Sequence, residues 1–413
     1  MSMSSTIEQC QICNNKTLNK VIFLGYLPPV NKMARIGLFP KEEPSFPALL
    51  LYCPKCHLVQ LGLAVDPTVL FPKEYPYTSS TTKILRENFA ELYEECKSIL
   101  ELTKDKLVVD IGSNDGNLLS NFKDHRILGI TPEEIGKIAI ERGIPTKLSY
   151  FDNKVVKDII EEAGKAYIIT ATNVFAHIQN VHEVVDNILE LLEEDGVFIS
   201  ESHYLMSLLE TIQYDTVYHE HLRYYSLTSL KYLLEMHGLE IFHAKKIPTH
   251  GGSIRVYACR KGKYKIKESV KELLDYESSR KFTEKLAIFS KLVNFSKLQL
   301  YLLLRNIELQ KKRICGISAP SRASTLVNYV GLDDNILKYT VETTGSHKIG
   351  YYMPGTLIPI LDESYLYKDQ PDYALVFSWH IAKELMSKIK NKGYKGDFII
   401  PLPIPYIVKN ENV

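Results

Sequence analysis

The chain has 413 residues, 45% hydrophobic and 24% charged, with 50 basic and 49 acidic side chains and a formal net charge of +1. That length predicts two or three domains, and the composition supplies a globular core and excludes wholesale disorder. The charge balance argues against nucleic acid as the main partner, but leaves room for a small anionic substrate held by a local basic site.

Residues 1–8 are polar and lack the apolar core of a signal peptide. Apolar stretches such as 48–52 and 398–406 are too short to cross a bilayer, so the expectation is a cytoplasmic protein with no membrane partner. In that compartment the seven cysteines read as thiols and metal ligands, not as a disulfide framework.

In chain order, residues 1–70 are rich in Pro, Cys and short β-type runs. Apolar spacing of three and four predicts a helix over 82–102. From Lys106 the pattern turns to short strands, at 107–109, 126–130, 167–170 and 196–199, with an amphipathic helix over 181–192. This alternation predicts a doubly wound parallel sheet. A charged helical segment without Gly or Pro runs over 269–313 and reads as a connector. A second strand–turn–helix unit opens at 313–317, and the alternation continues through 373–377 to 398–401. The predicted fold class is therefore α/β. A zinc module spans 1–75, a Rossmann-like domain 76–265, and the connector with a second Rossmann-like lobe 266–413.

The zinc reading rests on Cys10-x-x-Cys13 and Cys53-x-x-Cys56. Each knuckle offers two thiolates to one tetrahedral ion, and a closed four-thiolate shell makes a structural site, not a catalytic one. The alternatives are unrelated thiols, or a redox pair, which neither knuckle suits because neither opens a helix after a strand.

An apolar strand next runs into Asp110-Ile-Gly112-Ser-Asn114-Asp115-Gly116-Asn117. Glycine turns at the carboxyl edge of a parallel sheet let the backbone approach a nucleotide-type ligand. The sequence is not the Gly-x-Gly-x-x-Gly that cradles a pyrophosphate. Its carboxylates and carbonyls better suit S-adenosylmethionine, whose amino-acid end needs acceptors. Asn173, Ser79 and Ser80 complete this candidate cofactor set. The following strand ends in Thr131, where methyltransferases usually place an acid for the ribose hydroxyls. Either Thr131 makes one weaker hydrogen bond, or Glu133 or Glu134 curls back.

Polar aromatic and imidazole groups concentrate at Tyr75 and Tyr77, at His177, at Tyr218-His-Glu220-His221, and at His250-Gly251-Gly-Ser253-Ile-Arg255. Carbon methylation needs a carbanion, reached most easily as an enolate beside a ketone. One group must take the α-proton and others must hydrogen-bond the developing oxyanion. Histidine suits the first role and tyrosine or a second histidine the other. A metal site at 218–221 is the competing reading, but no third ligand is obvious nearby in sequence.

Taken together, these motifs resemble the nucleotide-sugar C-methyltransferases that act on TDP-4-keto-6-deoxyhexoses. The resemblance spans nearly the whole chain, through the paired knuckles, the 110–116 turn, the 218–221 run, the 250–253 run, and the C-terminal blocks 319–325 and 354–359. It implies an S-adenosylmethionine-dependent class I methyltransferase domain, and methylation of a TDP-, GDP- or CDP-linked 4-keto-6-deoxy sugar through an enolate, at carbon 3 with carbon 5 as the alternative. It further implies His221 as the base and Glu220 as its orienting or charge-balancing partner. Tyr218, His177, Tyr75 and Tyr77 would surround the sugar. His250, Gly251, Ser253, Arg255, Arg322 and Thr325 would hold the substrate. Arg322 stands where the family has Lys, and Ser318 and Ala323 stand at usual glycine positions, so no dinucleotide is expected in the second lobe. The competing functions are an O- or N-methyltransferase of the same architecture and a non-catalytic sugar-nucleotide-binding protein.

Overall fold

The computed structural model describes residues 4–38, 41–71, 80 and 82–413. The N-terminal strands are β1 (Ser5–Thr6), β2 (Asn19–Leu27), β3 (Phe46–Tyr52), β4 (Val59–Leu61) and β5 (Leu63–Ala64), followed by the short helix α1 (Pro67–Leu70). β2, β3 and β4 form an antiparallel meander, and β1 pairs with β5. The two knuckles fold alike: the amide of Asn14 donates to the Cys10 carbonyl, and that of His57 to the Cys53 carbonyl, each at 3.0 Å. Asn14 and His57 both have positive φ, so each knuckle closes on a left-handed residue.

α2 (Lys83–Ile99) leads into the central domain, with strands β6 (Leu107–Ile111), β7 (Arg126–Ile130), β8 (Thr146–Lys147), β9 (Ala166–Thr172) and β10 (Leu192–His203). Helices α3 (Gly136–Glu141), α4 (Asn153–Ala163) and α5 (Val181–Leu191) connect them. β6 is buried at all five positions, as a central strand covered on both faces must be. α6 (Leu205–Glu210), β11 (Arg223–Tyr224), α7 (Leu227–Met236), β12 (Leu239–Ile247) and β13 (Ser253–Arg260) follow. The sheet order is β12-β13-β10-β9-β6-β7-β8, parallel from β10 to β8, with an antiparallel β12–β13 hairpin on the edge. Strand order reverses between β6 and β9, which places a ligand crevice at their carboxyl ends. β11 leaves this domain and pairs with β4, joining the N-terminal module to the central one.

α8 (Glu268–Ser279) and the 28-residue α9 (Phe282–Leu309) cross to the last lobe. There β14 (Ile314–Ile317), α10 (Ser321–Val330), β15 (Thr340–Glu342), β16 (Ile360–Asp362), α11 (Ser364–Asp369), β17 (Tyr373–Val376), α12 (Ala382–Asn391), β18 (Asp397–Ile400) and β19 (Tyr406–Val408) build a six-stranded sheet. Its order is β16-β15-β14-β17-β18-β19, with only β19 antiparallel. No helix among the described residues is long and apolar enough to cross a membrane.

Two sequence readings need correction. β10 extends beyond the predicted 196–199, and its tail Glu201-Ser202-His203 reads as polar yet is mostly buried. Glu201 lies opposite Arg255 on β13, and the two form a fully buried ion pair at 2.6 Å. Arg255 also bonds Glu91, Glu95 and Asn88 of α2, so all its nitrogens are engaged in pinning α2 to the sheet. It is a core residue, not a substrate ligand.

Candidate functional site

The candidate cofactor crevice is built by β6, β7, β9 and β10. Asp110 is buried and accepts from the Thr170 hydroxyl at 2.6 Å, and burial pushes its carboxyl up to about 7. Gly112 has φ +72°, and a Cβ there would meet the Val174 side chain at 2.3 Å, so only glycine fits where these two turns pack. Gly116 likewise packs on Ile144 and Ala139. Asp115 is buried in a salt bridge with Arg142 at 3.0 Å. Asn114 and Asn173 both take positive φ at the strand ends. Glu133 curls back to the Thr131 hydroxyl, which brings a carboxylate to the tip of β7 where the sequence places none.

The buried side-chain atoms Ser113 Oγ, Asn117 Nδ2, Asn173 Oδ1 and Ser202 Oγ line this edge with no hydrogen-bond partner among the described residues. Buried polar atoms need partners. Donors and acceptors gathered at a switch point fit a polar ligand such as S-adenosylmethionine. Ser80 flanks α2 and its carbonyl accepts from Arg86 at 2.7 Å. Ser79, Tyr75 and Tyr77 lie outside the described residues.

Beside the crevice sits the histidine cluster. The Leu222 amide donates to the Ala176 carbonyl at 3.0 Å, and buried Arg223 donates to the carbonyls of Ile178 and Gln179. These bonds lock the loop after β9 to the 218–223 loop, which brings the His177 and His221 rings to 4.8 Å and the Tyr218 and His221 rings to 4.2 Å. His203, at the end of β10, stands 5.5 Å from His221 and 5.6 Å from His250. All four rings lie deep in the protein yet keep partial solvent contact, as groups lining a cleft do. Burial pushes His221 and His250 down to about 4 and His177 and His203 well below the usual imidazole range, so all four are neutral at neutral pH.

His221 Nδ1 lies 3.0 Å from the Thr216 carbonyl. A carbonyl only accepts, so the proton sits on Nδ1 and the lone pair on Nε2. Glu220, expected to orient this ring, is buried and accepts from Asn31 of the N-terminal module at 2.7 Å. The orienting group is a backbone carbonyl.

The opposite wall comes from the C-terminal lobe. Arg322 makes a two-pronged ion pair with Asp215 at 2.8 and 3.0 Å, and also donates to Gln213, the His250 carbonyl and His380 Nδ1. Trp379 Nε1 donates to the same Asp215. This is a buried clasp between the lobes, and it leaves Arg322 with no nitrogen for a substrate phosphate. Thr325 donates to the Val217 carbonyl and Ser253 to the Thr249 carbonyl, while Gly251 packs on Gln213; these three belong to the same frame. Of the expected substrate residues, His250 keeps a buried ring nitrogen, Nε2, with no hydrogen-bond partner among the described residues. A guanidinium only donates, so His380 accepts at Nδ1 and carries its proton on Nε2. Burial, and then the Arg322 charge, hold it well below the usual imidazole range.

Sequence reasoning passed over His203, Asp215, Trp379 and His380. His203 ends β10 and Trp379-His380 follow β17, so the carboxyl-edge rule that singled out His177 would have found three of the four.

In the N-terminal module the four sulfurs of Cys10, Cys13, Cys53 and Cys56 lie within 4.8 Å of one another, with Cys10–Cys56 at 3.3 Å and Cys13–Cys53 at 3.5 Å. Four thiols converging on one point fit a tetrahedral thiophilic ion with no open position. The hydrogen bond from Cys56 pulls the Cys10 thiol down, the direction that binding a metal as thiolate needs.

Three family models match the chain in succession: "Putative zinc binding domain" over 10–71, "Methyltransferase domain" over 83–244 and "C-methyltransferase C-terminal domain" over 248–403. A curated relative, C-methyltransferase NovU of Streptomyces niveus, is 31% identical over 98% of both chains. Among solved structures, an S-adenosylmethionine-dependent methyltransferase from Clostridium acetobutylicum aligns at 14% identity over 44% of this chain and 94% of its own. Its TM-score of 0.35 is too low to carry an argument. On full-length similarity to a C-methyltransferase, with zinc-binding and methyltransferase domains in order, this chain belongs to the C-methyltransferase family, with S-adenosylmethionine as its methyl donor and zinc in its N-terminal module.

Proposed function

We infer that the chain is a cytoplasmic enzyme that methylates carbon, at C-3, of a nucleotide-linked 4-keto-6-deoxy sugar. The observation that carries this reading is the fixed tautomer of His221: a neutral imidazole with its lone pair turned from the Thr216 carbonyl, packed between Tyr218 and His177 beside the cofactor crevice. A carbon nucleophile must be made by proton removal, and a neutral ring can accept that proton.

His221 Nε2 takes the proton from the carbon beside the ketone, and the electron pair moves onto the ketone oxygen as an enolate. Donors around the cleft hold that oxygen; Tyr218 and the Nε2–H of His380 are the ones this arrangement favours. When bound in the crevice, S-adenosylmethionine would supply the methyl group for the enolate carbon and would leave as S-adenosylhomocysteine. Glu133, carried back onto Thr131, is the acid for the ribose hydroxyls. Because Arg322 is committed to Asp215, the substrate's phosphates are held by other groups of the cleft.

The test is incubation with labelled S-adenosylmethionine and a panel of TDP-, GDP- and CDP-4-keto-6-deoxy sugars, read by mass spectrometry. A product heavier by one methyl on the sugar carbon supports the reading. Methyl found only on oxygen, or on none of the panel, contradicts it.

A further inference from the structure

Helix α9 carries two apolar faces. One, made of Leu286, Phe289, Val293, Leu300, Leu304 and Ile307, is buried against the rest of the chain. The other points to solvent: Ile288, Phe295, Leu298, Tyr301, Leu302 and Leu309 are each between 38% and 61% exposed. At about 100° per residue, positions 288, 295, 298, 302 and 309 fall within an arc of about 80°, nearly opposite the buried face. A helix that needed only to cover its own lobe would carry polar residues there.

We propose that this stripe is the interface of a homodimer, in which α9 packs antiparallel against α9 of a second copy. The spacing is self-complementary. Ile288 and Leu309 are equidistant from the point between Leu298 and Gln299, and so are Phe295 and Leu302. Laid against an antiparallel copy, Ile288 meets Leu309, Phe295 meets Leu302, and Leu298 lies beside its own counterpart. A twofold contact requires this match of a patch with itself, and an unrelated partner would not. The charges agree with it: exposed Lys291 falls opposite Asn306 instead of another cation, and Arg305 is paired with Glu308 on its own helix. The five side chains of the stripe leave about 500 Å² of surface per copy, so covering both stripes would bury about 1,000 Å², the lower bound for a specific interface.

The test is sedimentation of the full-length, zinc-loaded chain from micromolar to tens of micromolar concentration. The account predicts a species of twice the 47.2 kDa chain mass. Leu302→Glu and Phe295→Glu should each convert it to monomer while leaving the thermal unfolding of the monomer unit and methyl transfer intact. Register is tested separately: Leu298→Cys should form an intermolecular disulfide on mild oxidation, and Ile288→Cys alone should not. A wild-type chain that stays monomeric throughout, a dimer that survives Leu302→Glu, or a dimer that Leu298→Cys does not cross-link would overturn the proposal.

Discussion

At His221 burial lowers the pKa and the hydrogen bond to the Thr216 carbonyl raises it, and burial prevails. Burial keeps the ring neutral down to about pH 4, and the Thr216 carbonyl fixes which nitrogen is free to accept a proton. At Asp110 burial works the other way, because the carboxyl is pushed up to about 7 with only the Thr170 hydroxyl to offset it. The folded chain therefore holds a proton there that the unfolded chain releases near the usual carboxylate pKa of ~3.9. The contribution of Asp110 to stability declines as pH rises from that value through about 7. Asp110→Asn keeps the acceptor for Thr170 and removes the titration. Its melting temperature relative to wild type should rise between pH 5 and pH 8, as measured by calorimetry in paired buffers at about those values. A constant difference would contradict a raised pKa.

At the level of single elements, the readings that held had short-range signatures. Two Cys-x-x-Cys pairs met at one point because each knuckle closes on its own left-handed residue. Removing zinc with a chelator should leave four crowded, buried sulfurs without a common partner. The meander should then loosen, measured as a fall in melting temperature and fast amide exchange along β2 and β3, restored by added zinc. Unchanged exchange would mean that the cluster holds no structural ion. The elements that were misread depend on partners far away in sequence. The tail of β10 looks polar because Glu201 is neutralised by Arg255, a residue fifty-four positions on. Gly112 reads as a glycine of its own turn, but the Val174 contact that also demands glycine there comes from the next turn. No local pattern reports such pairings.

Across the whole molecule, the proposed catalytic cleft exists only because the carboxyl edges of two sheets face each other. His177, His203 and His221 come from the central domain, His380 from the C-terminal lobe, and the Arg322–Asp215 clasp fastens the two. The sequence marked Arg322 as a cation in the second lobe, but its partner Asp215 carries no motif, so the clasp could not be read in advance. Asp215→Ala would leave the guanidinium buried and unpaired, a change that costs about 3–5 kcal/mol. Chemical denaturation should report that loss as separation of the C-terminal lobe before the central domain unfolds. Loss of less than about 1 kcal/mol, the scale of an exposed pair, would place the clasp in solvent.

The chemistry itself is tested most directly by proton exchange. Wild-type enzyme with a nucleotide-linked 4-keto-6-deoxy sugar in heavy water, with S-adenosylhomocysteine present to close the site without methyl transfer, should wash deuterium into the carbon beside the ketone. His221→Asn should fold and bind both ligands, but lose exchange by about 10²–10⁴-fold, the range that a general base contributes. Tyr218→Phe should retain part of it. Exchange at the wild-type rate in His221→Asn, with loss in His177→Asn, would contradict the account and move the base to the end of β9.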